Sequence, residues 1–330
     1  MFFNFALAQG VMTWFDSRWA AGDSVSVDRA ATRRWLAVAA GVTAVWIVIS
    51  LIILSSAQAD QPTVRVAALQ PGYERAAFWD ESRTSQERFD AVADWTRDAA
   101  GQGAQIIYTP EMHFNVDPQV ALTDQSRALA LETGTYMLIN YSYGVEGEPW
   151  RNEAVLLSPS GEFSDVYAKN HAPPGEPLSP SAGVYPVYDT PLGRLAAMIC
   201  HDANYTNVAR RLARGGAQLI SASLSEFGGF GEQFWTNATF RAVENRVAVV
   251  VTARQTGSAI IDPSGRQLAL DLTPNQQAIL VHDVPLGSGN APYTFLGDWL
   301  GWLSLAAYVF FVALQVVTER RAKQTTEANG

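Results

Sequence analysis

Leu195-Ala196-Ala197-Met198-Ile199 runs without a charge into Cys200, and residues 204–214 that follow read as a helix. An uninterrupted apolar run of this length, bounded by a helix, reads as a strand buried on both faces. The same order recurs on either side. Residues 64–69 read as a first strand and residues 85–100 as a helix, with Phe89, Val92 and Ala93 at helical spacing. Residues 106–108 read as a short buried strand, 120–132 as a helix, and 136–141, 153–157 and 163–167 as strands. Downstream, strands at 218–223 and 248–252 flank a helix at 232–246, and two further strands lie at 258–261 and 278–283. Alternation of this kind predicts an α/β layered domain with helices covering sheets. No internal sequence repeat accompanies it.

The 330 residues suffice for one sizeable domain with attachments. Only 17% are charged while 48% are hydrophobic, which points to part of the chain lying in lipid. A net charge of −9 argues against a surface that tracks nucleic-acid phosphates. One cysteine excludes an internal disulfide, and His113, His171, His201 and His282 show no zinc-ligand spacing with it. No metal and no cofactor are expected.

Residues 35–55 carry no charge and match the length of a membrane crossing. Arg29, Arg33 and Arg34 precede them and Asp60 follows, so the positive-inside bias puts residues 1–34 at the cytoplasmic or interfacial side. Ala57-Gln58-Ala59 fits a signal-cleavage pattern, but the apolar run exceeds the ~7–15 residues of such signals. Residues 299–317 form a second uncharged run, followed by Arg320, Arg321 and Lys323. Two crossings place a domain at residues 62–286 outside the cytoplasm. They leave 318–330 as a cytoplasmic tail, polar and expected to be disordered.

Three expected strand ends carry reactive groups: Glu111 after 106–108, Lys169 after 163–167, and Cys200. In α/β sheets ligands gather at the carboxyl ends of strands, so one crevice could hold all three. A thiol attacks a carbonyl as thiolate and needs a base and a positive neighbour. Glu111, desolvated among apolar residues, is expected to have raised basicity for that proton. Lys169, with backbone N–H groups opening the next helix, would steady an oxyanion.

Pro110-Glu111, Tyr167-Ala168-Lys169-Asn170-His171 with Gly175-Glu176, Ile199-Cys200 and Arg241-Ala242-Val243-Glu244-Asn245 resemble the motif series of the carbon–nitrogen hydrolase (nitrilase) superfamily. Trp79-Asp80-Glu81, Ala291-Pro292-Tyr293-Thr294 and Gly297-Asp298-Trp299 are similar to its integral-membrane branch, the apolipoprotein N-acyltransferases. The resemblance implies a four-layer α-β-β-α sandwich, here flanked by transmembrane helices, and a catalytic triad of Glu111, Lys169 and Cys200. It makes Glu176 a supporting acid, puts Trp79 near the acyl site, and leaves His201, Asp202 and Glu244 to shape substrate binding. It further implies a two-step reaction at the periplasmic side of the cell membrane: Cys200 takes an acyl chain from a phospholipid, then passes it to the amine of a diacylglyceryl-cysteine lipoprotein. His201-Asp202 departs from the branch's usual Tyr-Glu. The branch has a bundle of several helices ahead of the domain, where one crossing is expected here, through loss of the bundle or an incomplete N-terminus.

Three other readings use the same residues. A membrane-tethered amidase or nitrilase would pass the thioester to water, with small amides as substrates. A Cys-His hydrolase would use His171 or His201 as base. A module without activity would only bind lipids or lipoproteins.

Overall fold

The computed structural model describes residues 29–56, 61–72, 84–144, 147–179, 181–225 and 230–328, with Val11, Trp14 and Arg18 nearer the start. Trp79, most of residues 1–34 and Ala57-Gln58-Ala59 lie outside the described residues. The chain divides into two units, Met1–Gln61 and Pro62–Gly330. The first contains helix α1 (Arg29–Ser56), and residues 33–52 within it have a mean hydropathy of 2.3. Its apolar side chains, Trp35, Val42 and Trp46 among them, are exposed around the helix.

In the second unit, strands β1 (Thr63–Gln70), β2 (Ile106–Tyr108) and β3 (Tyr136–Tyr143) pair in parallel, joined by α2 (Ser85–Gly101) and α3 (Thr123–Thr133). Strands β4 (Arg151–Leu157) and β5 (Tyr167–Ala168) extend that sheet antiparallel on one side. The second sheet is built the same way. Strands β7 (Gly193–Ile199), β8 (Leu219–Leu224) and β9 (Ala248–Ala253) are parallel, joined by α4 (Thr206–Arg214) and α5 (Phe230–Asn245). Antiparallel β6 (Val187–Thr190) borders β7, while β10 (Ser258–Ile261) and β11 (Gln267–Asp271) follow β9. The first sheet gains its remaining edge when β12 (Ala278–Pro285) pairs antiparallel with β1. Each sheet thus has six strands, and the orders β12-β1-β2-β3-β4-β5 and β6-β7-β8-β9-β10-β11 repeat one plan without a repeat in sequence.

The period of two along each strand sorts the core into layers. Val64, Val66 and Ala68 of β1 share a cluster with the second sheet, whereas Ala67 and Leu69 turn the other way, toward Ala99 of α2. In β4, Ala154 and Leu156 belong to the inter-sheet cluster, and Val155 and Leu157 pack with Phe89 and Val92 of α2 and Leu129 of α3. Val208 and Leu212 of α4 and Phe234 and Ala238 of α5 cover the outer side of the second sheet. The result is a nitrilase-like α-β-β-α sandwich.

Several expectations shift. The helix expected from residue 120 begins at Thr123, and the strand expected over 163–167 shrinks to two residues beside an isolated Leu157–Phe163 bridge. Ser164 accounts for this, since its hydroxyl, not its backbone, takes the Leu156 N–H. After Leu296 of the short helix α6 (Pro292–Leu296), helix α7 runs from Trp299 to Ala328, so residues 318–328 continue the helix and are not a loose tail. Exposed apolar side chains lie along α7 from Trp299 to Val317.

Candidate active site

Glu111 sits just past β2, where Pro110 and the left-handed Met112 (φ 53°) bend the chain off the sheet. Its side chain is fully buried. Oε1 accepts hydrogen bonds from Lys169 Nζ at 2.9 Å and from Asn152 Nδ2 at 2.7 Å. Lys169 reaches it from the end of β5, because the Lys169 N–H bonds to the Asn152 carbonyl and carries the ladder one residue further. The same ammonium donates to Glu176 Oε2 at 2.8 Å, so one buried cation lies between two carboxylates.

This pairing overturns one expectation. Burial does push the Glu111 carboxyl upward, but the Lys169 charge and its hydrogen bonds outweigh it and hold the group below its usual value of 4.5. Lys169 shows the converse: burial pulls it down, and Glu111, the Cys200 thiolate and Glu176 together raise it above its ordinary value. The acid is therefore a resident carboxylate, and its counter-ion lies within electrostatic reach of the sulfur.

Cys200 ends β7 and opens a single 3-10 turn, Cys200–Asn204. Its φ of 49° is left-handed, a conformation costing a non-glycine residue about 1–3 kcal/mol. Asp202, fully buried two residues on, accounts for much of what holds that bend. Its Oδ2 accepts from the Tyr167 hydroxyl at 2.8 Å and the Ile199 N–H at 3.2 Å, and its Oδ1 from the His171 N–H at 2.8 Å. The Asn170 N–H also reaches Oδ1, at 3.2 Å, and His171 Nδ1 lies 3.0 Å from the same oxygen. One carboxylate thus ties the cysteine bend to the two residues that follow Lys169.

A polar chain joins the sheets at the same end. Ser223 of β8 donates to Asn140 Oδ1 of β3 at 2.6 Å, and Asn140 Nδ2 donates to the Thr109 carbonyl at 2.9 Å. Thr252 of β9 donates to that carbonyl at 3.1 Å. Glu111, Lys169 and Cys200, far apart in sequence, are brought to one edge of the sandwich by these links and by the Lys169 ion pairs.

The family model for carbon–nitrogen hydrolases matches residues 65–291, most of the chain and nearly all of the sandwich. The chain belongs to the carbon–nitrogen hydrolase family. It is 28% identical over 284 residues to an apolipoprotein N-acyltransferase from Geobacter metallireducens, an alignment covering 76% of this chain and 53% of that protein. It spans about half the length of that relative. Human deaminated glutathione amidase is 26% identical over 226 residues, covering 56% of this chain and 68% of that one. An amidase from Nesterenkonia sp. has the same fold, with a TM-score of 0.60 and 21% identity over 74% of this chain and 99% of its own.

In this carbon–nitrogen hydrolase, the other residues singled out by sequence separate into two groups. Glu176 pairs with Lys169 directly, and Asp202 braces the residues that flank Lys169 and Cys200, as described. His201 stands beside it, with Nδ1 3.0 Å from Asn204 Nδ2 and its ring edge-on to Tyr205. Partial burial and the Lys169 charge lower its pKa, so at neutral pH the ring is uncharged. His171 stacks on Tyr205 at 3.9 Å and points Nδ1 at Asp202. Both imidazoles are engaged in the rim, while the carboxylate at the ion pair is Glu111. Glu244 is not with the triad. It accepts from Arg241 at 2.9 Å near the start of α7, and neighbouring Asn245 accepts from Thr294 of α6. That motif fastens α5 to α6. Among the described residues, no group of three or more His, Cys, Asp or Glu could hold a metal.

Sequence reading missed Asn152 and Arg254. Asn152 has a signal, its odd alternation with the apolar members of β4. Arg254 has none: it is fully buried, and Nη2 donates to the Glu111 carbonyl across the sheets.

Proposed function

We propose that this chain is a membrane-held acyltransferase in which Cys200 carries the acyl group, Glu111 moves the proton and Lys169 steadies the negative charge. The observation that carries the reading is the buried Glu111–Lys169–Glu176 array beside a thiol on a left-handed bend. Glu111 Oε1 is occupied by Lys169 and Asn152, and the carboxylate, which the Ser225 side chain also reaches, is the group placed to take the thiol proton. In the first step the thiol proton passes to Glu111 and the sulfur attacks an ester carbonyl of a phospholipid. The carbon–oxygen bond then breaks, and the lysophospholipid leaves with the proton from Glu111. In the second step an amine attacks the thioester, its proton goes to Glu111, and the carbon–sulfur bond breaks to restore the thiol.

Transfer to a lipoprotein amine is supported by the similarity to an apolipoprotein N-acyltransferase and by the apolar helices α1 and α7. On this reading the helices cross the cell membrane with both termini cytoplasmic, the sandwich lies on the periplasmic side, and Trp79 and His201 border the acyl and acceptor sites. The similarity to deaminated glutathione amidases favours a second reading, with water as acceptor and a small amide as substrate. Full-length protein in phospholipid vesicles, with and without a diacylated lipopeptide, separates the two. Lysophospholipid release in step with lipopeptide acylation supports transfer; ammonia from small amides without lipid turnover supports hydrolysis.

A further inference from the structure

Outward positions on a covering helix are ordinarily polar, because they face water. On the last two turns of α5 and on α6 several are not. Phe240 and Val243 lie one helical turn apart on the exposed side of α5, and Phe295 and Leu296 are exposed on α6. The two helices are joined through Thr294 and Asn245. Gly297 and Asp298 then lead directly into α7, and the joint is fixed: Tyr293 donates to Asp298 at 3.0 Å, and a side chain at Gly297 would collide with Arg210 of α4. Next to this face α4 sets Arg210 against Gly297 and carries the exposed Arg214 one turn on, with no acid, although the whole chain has a net charge of −9.

We infer that the outer face of α5 and α6 docks on the surface of an anionic phospholipid bilayer, with Phe240, Val243, Phe295 and Leu296 at the headgroup–acyl boundary and Arg210 and Arg214 among the headgroups. An apolar face bordered by arginines matches such a surface in both terms, and it adjoins a helix whose exposed residues are apolar. A second copy would set arginine against arginine. The face also meets the active-site rim. Tyr293 of α6 hydrogen-bonds to Thr206, and the adjoining Tyr205 stacks on His171 beside Cys200. Docking here sets the site's edge at the level where a phospholipid ester lies, so the inference rests on the membrane reading above and specifies which face of the domain meets the lipid.

The test places single nitroxides on the full-length Cys200→Ala chain through Phe240→Cys, Phe295→Cys, Phe310→Cys and Val120→Cys, in nanodiscs of phosphatidylcholine with phosphatidylglycerol. Phe240 and Phe295 are 56% and 58% exposed, so these replacements leave the core intact. Positions 240, 295 and 310 are expected to be more accessible to oxygen than to a water-soluble nickel complex, and position 120 the reverse. Replacing phosphatidylglycerol by phosphatidylcholine should lower the oxygen preference at 240 and 295 but not at 310. Position 310 in lipid with 240 and 295 in water overturns the docking face alone; position 310 in water overturns the membrane reading with it. Spin–spin broadening at 240 would show a second copy on this face and also overturn the inference.

Discussion

Two fully buried carboxylates stand on either side of the Lys169 loop, and they are handled in opposite ways. Glu111 is met by a charge. Its Oε1 holds the Lys169 ammonium and the Asn152 amide, and the Ser225 side chain also reaches the carboxylate. Asp202 is met by neutral donors and an imidazole: three backbone N–H groups, the Tyr167 hydroxyl and His171 use both of its oxygens. The first arrangement leaves a proton acceptor beside a cation. The second spends the whole hydrogen-bonding capacity on geometry. Similar burial thus produces a chemical group in one place and a brace in the other, and what decides is the partner set.

The largest expected effect breaks the first member of the pair. Glu111→Gln keeps the shape and the Asn152 contact but cannot take a proton, and should lower acyl-adduct formation ~10²–10⁴-fold in stopped-time mass measurements. Lys169→Met removes the ammonium paired with the Glu111 carboxylate and leaves a buried acid without its counter-ion, a change worth about 3–5 kcal/mol in urea unfolding. It also reverses the pKa balance. With Lys169 present, Glu111 is held below 4.5, so its ionised form and the stability it contributes persist above that value and are lost as pH falls through the lowered one. Without Lys169, burial is opposed only by the Ser225 and Asn152 hydrogen bonds, and the acid limb of adduct formation should move up in pH.

Asp202→Asn tests the brace. An amide presents two donors to a site made of donors, so stability should fall by about 3 kcal/mol. Residual adduct formation should keep the wild-type acid limb, because the Glu111–Lys169 pair is untouched. A shifted limb would mean that Asp202 tunes charge as well as shape. The smallest effect is expected at His201. His201→Tyr replaces a neutral rim ring with another, and should change the donor KM a few-fold while leaving the pH dependence of adduct formation in place. A lost acid limb would instead revive His201 as the base.

The same contrast explains what could be read from sequence. Strands such as residues 195–199 are apolar throughout and announce themselves, and Glu111, Lys169 and Cys200 were legible because each follows such a run or its turn. Edge strands β6 and β11 were not, since Val187–Thr190 and Gln267–Asp271 are half-exposed and mixed in character. The lowered pKa of Glu111 was also out of reach: burial was inferable from its neighbours, but the ion pair that outweighs it comes from residue 169. Asp202 could be marked only as an acid near the cysteine, because four of its five donors come from residues 167–171, a distant segment. Arg254 has no mark in the sequence, and only the stacking of the sheets buries it against the Glu111 carbonyl.

The most direct test of the central claim is intact-mass analysis of the full-length protein after brief exposure to phospholipid vesicles. Wild type is expected to gain the mass of one acyl chain, removable by hydroxylamine, with no gain for Cys200→Ala and almost none for a folded Glu111→Gln. An unmodified wild-type chain, or equal acylation of Glu111→Gln, would contradict a thioester made at Cys200 with Glu111 as its base.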